Sequence, residues 1–344
     1  MKIVLDGLLN DTTSLGIVGL HTCRSLAALG HTVYAMRWPG CDERVADEFP
    51  VWPGGAADAA IRFCDPWSVE CLDAFPECRR RIAYCYFDFG VMEPERVALL
   101  NTGRWELWAV SPFTRQMLIN AGVSIPIASV PHGVEAGEPP PAQKGLERLT
   151  FVYVAQLGGP RKGTDILVKA FRAAFGGSDA AMLILKDTPN SPFHFDDPNI
   201  TLLSGDLPRS ELRALLAGAH YFVAPARMES FGLVGLEAAA AGTPMIYPWH
   251  SAYATFANDM PHALPLLEGA WTMASDGGRP ARHWESNVRE LARLLEWIAE
   301  NGVHRSIVPR EVWEHACRWS WQRTAEVVVP LLGQTSPCGC ADHT

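Results

Sequence analysis

Two glutamates in the second half of the chain stand in a pattern that could bind a polar ligand. Glu229 follows an apolar strand, and seven residues separate it from Glu237, which lies in a helix otherwise made of Gly, Ala, Leu and Val. A carboxylate on so apolar a helix is costly to bury without a partner, and a ligand hydroxyl would serve as one. Gly232 opens the helix, where free N–H groups attract phosphate. The alternative is a buried helix whose first turn Glu229 caps.

The elements around these glutamates alternate between short apolar runs and helical patterns. In the first half, strands are predicted at 2–5, 32–36, 81–87, 105–110 and 128–130, and helices at 17–29 and 114–121. In the second half, strands are predicted at 150–155, 181–186, 200–203, 221–224 and 245–247, and helices at 163–175, 209–218 and 232–241. This alternation is typical of βαβ units on parallel sheets, so the predicted fold class is α/β.

A stretch rich in proline and glycine divides the two halves. Residues 135–148 contain Pro139, Pro140 and Pro141 in a row, which predicts a linker. The first domain is therefore expected at 1–134, and the second begins at 149. Parallel sheets bind ligands at the carboxyl ends of their strands, so we expect the site in a cleft between two facing sheets.

The charge balance bears on the kind of partner. Lys and Arg number 29 and Asp and Glu 38, which gives a net charge of −9. A dominant basic surface for nucleic acid or anionic lipid is therefore not expected. Arg79–Arg81 is a tight basic cluster, and its favoured interpretation is a solvated turn before a strand.

Membrane and metal sites are also disfavoured. No run approaches the roughly 18 to 20 apolar residues of a membrane helix, and the N-terminus reaches Asp6 too soon for a signal peptide. A cytoplasmic protein is therefore expected, with its nine cysteines reduced. Cys338 and Cys340 are interpreted as part of a loose tail rather than as metal ligands.

The segment from Glu229 to Pro244 reads ESFGLVGLEAAAAGTP. It resembles retaining glycosyltransferases of the GT-B fold, specifically glycosyltransferase family 4, which carry two glutamates at this spacing in this context. The resemblance implies two Rossmann-like domains facing a central cleft. It places the donor domain at 149–315, a helix that crosses back to the first domain at 316–332, and a tail at 333–344.

The resemblance also implies how a donor diphosphate would be held. Lys162 matches the family's lysine that contacts the diphosphate. Gln156 stands where the family usually has an arginine, and Arg161 is expected to substitute for that arginine, since a guanidinium can clamp phosphate from a nearby position. The alternative for Arg161 and Lys162 is a solvated basic turn.

For the sugar, the resemblance points to the two glutamates and the start of the helix between them. Glu229 and the backbone of Phe231, Gly232 and Leu233 are implied to position the donor sugar, and Glu237 to bind ribose hydroxyls. No metal-binding Asp-x-Asp is found in the donor half, so no cofactor or essential metal is expected. The expected co-substrate is a nucleotide-sugar such as a UDP- or GDP-sugar.

In the first domain the resemblance is looser. Gly16 matches a glycine-bearing loop near donor and acceptor, although a plain turn is an equal interpretation. Many relatives carry a His-Asp pair after the middle strand. Here Phe87 stands in the histidine position, whereas Asp88 remains and is a candidate catalytic residue or a turn acid.

Taken together, these patterns predict a retaining glycosyltransferase that moves a sugar from a nucleotide-sugar to a hydroxyl acceptor. The acceptor stays open among a glycan, a lipid, a small molecule and a modified DNA base, the last disfavoured by the net charge. The alternative is a catalytically silent sugar-nucleotide binding module of the same fold.

Overall fold

The computed structural model describes residues 1–141 and 148–334. The chain forms two compact units. The first unit comprises Met1–Gly133 and the chain from Ser320 on, and the second comprises Val134–Trp319. Part of the predicted linker 135–148, most of the predicted tail 333–344, and Cys338 and Cys340 lie outside the described residues.

The first unit is built on a parallel sheet with the strand order β2-β1-β3-β4-β5-β6, counting its described residues. The strands are β1 (Lys2–Asp6), β2 (Thr32–Ala35), β3 (Ala59–Cys64), β4 (Arg81–Cys85), β5 (Glu106–Ala109) and β6 (Ile127–Ser129). The helices are α1 (Ser14–Ala28), α2 (Glu43–Ala46), α3 (Pro94–Leu100) and α4 (Pro112–Asn120). Most of the sheet side chains are buried, as expected where helices cover a parallel sheet.

Strand β3 is absent from the sequence prediction because of its composition. It reads AAIRFC, and all six residues are buried although Arg62 is charged. Arg62 forms an ion pair with Asp6 at the end of β1, and these two residues are register partners in the sheet. The burial of Arg62 in this strand depends on a partner 56 positions away in the chain. No local sequence pattern reveals that partner.

The basic cluster Arg79–Arg81 is only partly a solvated turn. Arg79 is exposed and lies 3.9 Å from Asp58. Arg80 is buried against Glu106 on the neighbouring strand β5, and Arg81 pairs with Asp73 at 3.1 Å. The prediction was wrong for Arg80 and Arg81, because acids from other segments take up their charges.

The second unit is built on a second parallel sheet, ordered β12-β11-β10-β7-β8-β9 over its described residues. The strands are β7 (Leu149–Val154), β8 (Ala181–Asp187), β9 (Ile200–Ser204), β10 (Tyr221–Val223), β11 (Met245–Pro248) and β12 (Leu264–Leu266). The helices up to β11 are α5 (Thr164–Phe175), α6 (Arg209–Ala217) and α7 (Leu233–Ala240). Read from β9, the strand order is the 3-2-1-4-5-6 of doubly wound sheets, so the winding reverses between β7 and β10.

The elements between β11 and the predicted helix at 316–332 were not predicted from the sequence. They include α8 (Ala254–Ala257), a hairpin of β13 (Gly269–Asp276) and β14 (Arg279–Ser286), then α9 (Val288–Glu300) and α10 (Pro309–Cys317). Helix α9 is strongly amphipathic and packs on α5, whereas the hairpin is a separate two-stranded sheet. The predicted α/β class with two parallel sheets is confirmed, and the hairpin is an addition to it.

The last described helix, α11 (Trp321–Gly333), belongs to the first unit. A Cβ on Gly133 would lie 2.3 Å from the backbone nitrogen of Trp321, so only glycine allows this close approach. Thr324 also donates a hydrogen bond to the Pro131 carbonyl. None of the helices in the described ranges has the length and apolar character to cross a membrane.

Candidate active site

The predicted donor residues meet where the second sheet reverses its winding. Lys162 lies in a short 3-10 turn (Pro160–Lys162) after β7, and Glu229 lies in the loop after β10. Strands β7 and β10 are parallel neighbours in the sheet. Their carboxyl ends therefore open at the same point, which is where open α/β sheets bind ligands.

An ion pair occupies this point. The Lys162 Nζ lies 2.8 Å from the Glu229 Oε2, and their side chains are 20% and 15% exposed. The backbone N–H of Ser230 donates to the other carboxylate oxygen of Glu229. The structure thus joins two residues that the sequence predicted separately, 67 positions apart in the chain.

The charges around Glu229 keep its carboxyl ionised. Burial is the largest single effect and raises the pKa of this group, whereas the charges of Lys162 and Arg161 lower it. Hydrogen bonds from Lys162 and from the Phe231 backbone add to them, so the pKa of Glu229 lies below its usual value. The pair therefore joins a lysine to an ionised carboxylate, and a ligand phosphate could compete with that carboxylate for the lysine.

The helix start next to Glu229 requires its glycine. Gly232 has φ +88°, in the left-handed region, and immediately precedes α7. A Cβ there would lie 2.2 Å from the ring of Tyr253. Phe231 and Leu233 are buried on either side of this glycine.

Glu237 is paired with a different cation. Its Oε1 accepts a hydrogen bond from Arg209 Nη2 on α6 at 2.6 Å, and both residues line a cavity of about 220 Å³. Burial raises the pKa of Glu237, and Arg209 offsets only part of that rise. The cavity also borders Glu135 and Ser210. Glu237 therefore lines this cavity together with its cation, although its side chain is only 8% exposed.

Acidification is expected to act in opposite senses on the two glutamates. Because the folded-state pKa of Glu229 is lowered, its stabilising effect is present above the unfolded pKa near 4.5 and is lost as the pH falls through the folded value. The folded-state pKa of Glu237 is raised, so its stabilising effect is present below 4.5 and is lost as the pH rises through the folded value. Each proton changes stability by at most about 1.4 kcal/mol per pH unit.

Thermal unfolding from about pH 2.5 to 7, which covers both windows, would measure this difference. In Glu229→Gln, the stability should fall less steeply as the pH is lowered. In Glu237→Gln, it should fall more steeply, because the stabilising effect of protonating Glu237 is gone. Parallel curves for the wild type and both variants would contradict the assignment.

Arg227 was not predicted from the sequence. It connects the turn that carries Lys162 to helix α5 and to the hairpin. Its side chain is 9% exposed and forks between Asp165 at the start of α5 and Glu285 on the hairpin strand β14. It also donates to the Pro160 carbonyl, and its backbone N–H donates to Arg161, within the turn that carries Lys162. The only sequence signal was a basic residue two positions before Glu229.

Replacing Arg227 is expected to loosen the second unit and the Lys162 turn together. Arg227→Met leaves Asp165 and Glu285 without their shared cation. Since both acids are nearly half exposed, we expect a loss of about 1–3 kcal/mol in the free energy of unfolding. Arg227→Lys keeps the charge but has no planar guanidinium that can bind both acids, so it should restore only part of the lost stability. Urea unfolding measures both variants, and a methionine variant as stable as the wild type would contradict this role.

Two tyrosines also border the site and were not predicted. The hydroxyl of Tyr153 donates to the Lys162 carbonyl at 2.8 Å, and Tyr253 packs on Gly232. Burial raises the pKa of both phenols, and the charge of Glu229 raises it further. Both therefore remain protonated. Gln156, by contrast, is an exposed residue between β7 and the 3-10 turn, and its predicted role stays a prediction.

The first unit contains the predicted site residues Gly16 and Asp88. Gly16 was expected in a loop, but it lies inside α1, because Thr13 caps the helix by accepting from the Gly16 N–H. A Cβ on Gly16 would lie 2.1 Å from the Asn10 side-chain oxygen, so the glycine allows this contact. Asp88 is buried, and Phe87 is packed in the core against other aromatic rings. A donor or catalytic role for Gly16 and Asp88 stays a prediction.

The chain is similar to known proteins in sequence and in fold. Residues 148–258 match the family model of glycosyl transferases group 1. D-inositol 3-phosphate glycosyltransferase of Salinispora arenicola is 32% identical over 124 residues, which cover 36% of this chain and 24% of that protein. The chain spans between about a quarter and a half of the length of the curated relatives that it matches.

Two solved structures match almost the whole chain. Sucrose-phosphate synthase of Thermosynechococcus elongatus has a TM-score of 0.71 at 15% identity, covering 97% of this chain and 98% of that one. Anabaena HepE, in complex with UDP and glucose, has a TM-score of 0.71 at 14% identity, covering 97% and 99%. At these identities the likeness shows the fold. The chain thus has the GT-B fold, and its residues 148–258 are similar to the glycosyl transferases group 1 family.

Proposed function

We propose that the chain transfers a sugar from a nucleotide-activated donor to a hydroxyl acceptor, with retention of the anomeric configuration. The observation that carries the proposal is the Lys162–Glu229 pair at the carboxyl ends of β7 and β10. The group 1 match spans both residues. The relatives support the same chemistry, since HepE was solved with UDP and glucose.

In this proposal the donor diphosphate binds Lys162 and replaces Glu229 as the partner of that lysine. Lys162, Arg161 and the first N–H groups of α7 neutralise the charge that develops on the leaving phosphate, which is electrostatic stabilisation of the transition state. Glu229, released from its partner, accepts hydrogen bonds from hydroxyls of the donor sugar. The protein itself supplies this positive charge, so the proposed chemistry requires no cofactor or metal.

Glu237 would hold the nucleoside end of the donor. It lines the cavity beside Arg209, and a carboxylate there can accept hydrogen bonds from ribose hydroxyls. Retention follows if the acceptor approaches on the face that the phosphate leaves, with the phosphate taking the acceptor proton. The proposed acceptor is a hydroxyl of a glycan, a lipid, a small molecule or a modified DNA base.

A panel of UDP-, GDP- and ADP-glucose tests the proposal. We expect release of nucleoside diphosphate from at least one donor, with an α-configured product seen by proton NMR before mutarotation. Glu229→Gln should lose this turnover, whereas Lys2→Met, at an exposed lysine of β1, should keep it. Donor binding without turnover in any mixture would favour a silent binding module, and a β-configured product would contradict retention.

A further inference from the structure

The hairpin of the second unit has an open sheet edge. Over the described residues, β13 and β14 form a sheet of two strands, joined by Gly277 and Gly278. Both glycines have positive φ, +56° and +81°, as a tight two-residue hairpin turn requires. The outer side of β14 is covered, because the Trp284 N–H donates to the Arg227 carbonyl at 3.0 Å. The free edge of this sheet is therefore β13.

The register of the hairpin shows which backbone groups lie on that edge. In an antiparallel pair, residues that bond their partner alternate with residues whose N–H and C=O point away from it. Trp284 is of the second kind, since its N–H bonds outside the hairpin, and its register partner is Trp271. By alternation, the N–H and C=O of Met273 and Ser275 also point away from β14, and the partner of Ser275 is Pro280, which has no N–H. Within the described parts of the chain, no hydrogen bond uses the N–H groups of Trp271, Met273 and Ser275.

The side chains of β13 do not block this edge. Natural edge strands are usually protected by lysine, proline or a bulge. The strand reads GAWTMASD, pairs with β14 in unbroken register, and carries one charged residue, Asp276, next to the turn. Met273 is 65% exposed, the highest value among the large apolar residues of the described chain. A long, nearly neutral and unprotected edge of this kind is a template for pairing with another strand.

We propose that β13 pairs with β13 of a second copy of this chain, antiparallel and about a two-fold axis at Met273. The outward residues are symmetric about Met273, so Met273 lies opposite itself and Trp271 lies opposite Ser275, and their outward N–H groups meet outward C=O groups. Charge agrees with this register, since each Asp276 lies opposite Ala270 and the two Asp276 residues are about 20 Å apart along the strands. Because the pairing is two-fold, it occupies the free edge of both copies and stops at a dimer.

The strand is already held in the conformation that pairing needs. The ring of Trp271 packs edge-on against Trp284 with their centroids 5.5 Å apart, and the Arg282 guanidinium lies 5.1 Å from the Trp271 ring centroid. Pairing therefore orders little additional backbone, and it brings two exposed Met273 side chains together. One pair of strands is nevertheless a small interface, so we expect a weak dimer with a dissociation constant on the order of 10 μM.

Analytical ultracentrifugation of the intact chain between about 1 and 300 μM tests the pairing. We expect the wild type to change from monomer to dimer within this range. Met273→Lys and Met273→Glu should each weaken association by at least about tenfold, because like charges then lie opposite each other at the axis. An equimolar mixture of these two variants should dimerise again, because a lysine of one copy then faces a glutamate of the other.

A matched control and a backbone variant complete the test. Trp297→Lys changes an exposed apolar residue of α9 in the same unit, 45% exposed and outside the hairpin, and should dimerise as the wild type does. Met273→Pro removes an outward N–H without touching a bond to β14, so it should also be monomeric. A wild type that stays monomeric throughout, a Met273→Lys dimer as tight as the wild type, or a mixture no tighter than either variant alone would overturn the proposal.

Discussion

Lys162→Met is expected to slow donor turnover by about 10²–10³-fold, the usual effect of removing one group that stabilises charge in a transition state. The methionine keeps the apolar length of the side chain but cannot contact a phosphate. It also leaves Glu229 buried without the cation that it contacts at 2.8 Å. The rate is measured as nucleoside diphosphate released from a saturating donor.

Two comparisons separate chemistry from folding in this experiment. Lys2→Met is the matched control, because it removes an exposed lysine from the other unit. Thermal unfolding of Lys162→Met shows whether the second unit stays folded at the assay temperature. A folded Lys162→Met with wild-type turnover would show that the diphosphate is held elsewhere.

Arg80→Met is expected to cost about 3–5 kcal/mol in the free energy of unfolding, because it leaves a buried carboxylate without its cation. Arg80 Nε lies 2.7 Å from Glu106 Oε1, and Nη1 donates to the Leu331 carbonyl of α11 at 2.7 Å. Both charged side chains are buried. The substitution therefore removes an ion pair between strands and a contact that holds α11 within the first unit.

Urea unfolding of the intact chain measures this loss. Arg79→Ala is the matched control from the same cluster, since that side chain is 82% exposed and should change stability by less than about 0.5 kcal/mol. The double variant Arg80→Met, Glu106→Gln should recover part of the loss, because it removes the orphaned charge. Equal stability of the Arg79 and Arg80 variants would contradict the buried pair.

The sequence predicted most of the framework and the donor motif because both depend on local patterns. Apolar runs such as Lys2–Asp6 and Leu149–Val154 are strands in the structure, and Gly232 starts α7 as its position in the motif suggested. These features follow from side-chain periodicity and from the freedom of glycine at positive φ.

The partners of the site residues could not be predicted, because they come from distant segments. Arg209 meets Glu237 across 28 positions, and Arg227 meets Asp165 across 62. Strand β3 was missed for the same reason, since its buried Arg62 depends on Asp6. A single sequence shows which residues carry charge, but only the fold shows which charges neutralise each other.

We propose that a nucleoside diphosphate binds at the Lys162–Glu229 pair. Calorimetric titration of UDP, GDP and ADP into the wild type and Lys162→Met tests it most directly. We expect at least one of these diphosphates to bind the wild type and to bind the folded variant at least about tenfold more weakly, a difference of about 1.4 kcal/mol. Equal affinity for the wild type and the variant would contradict the claim.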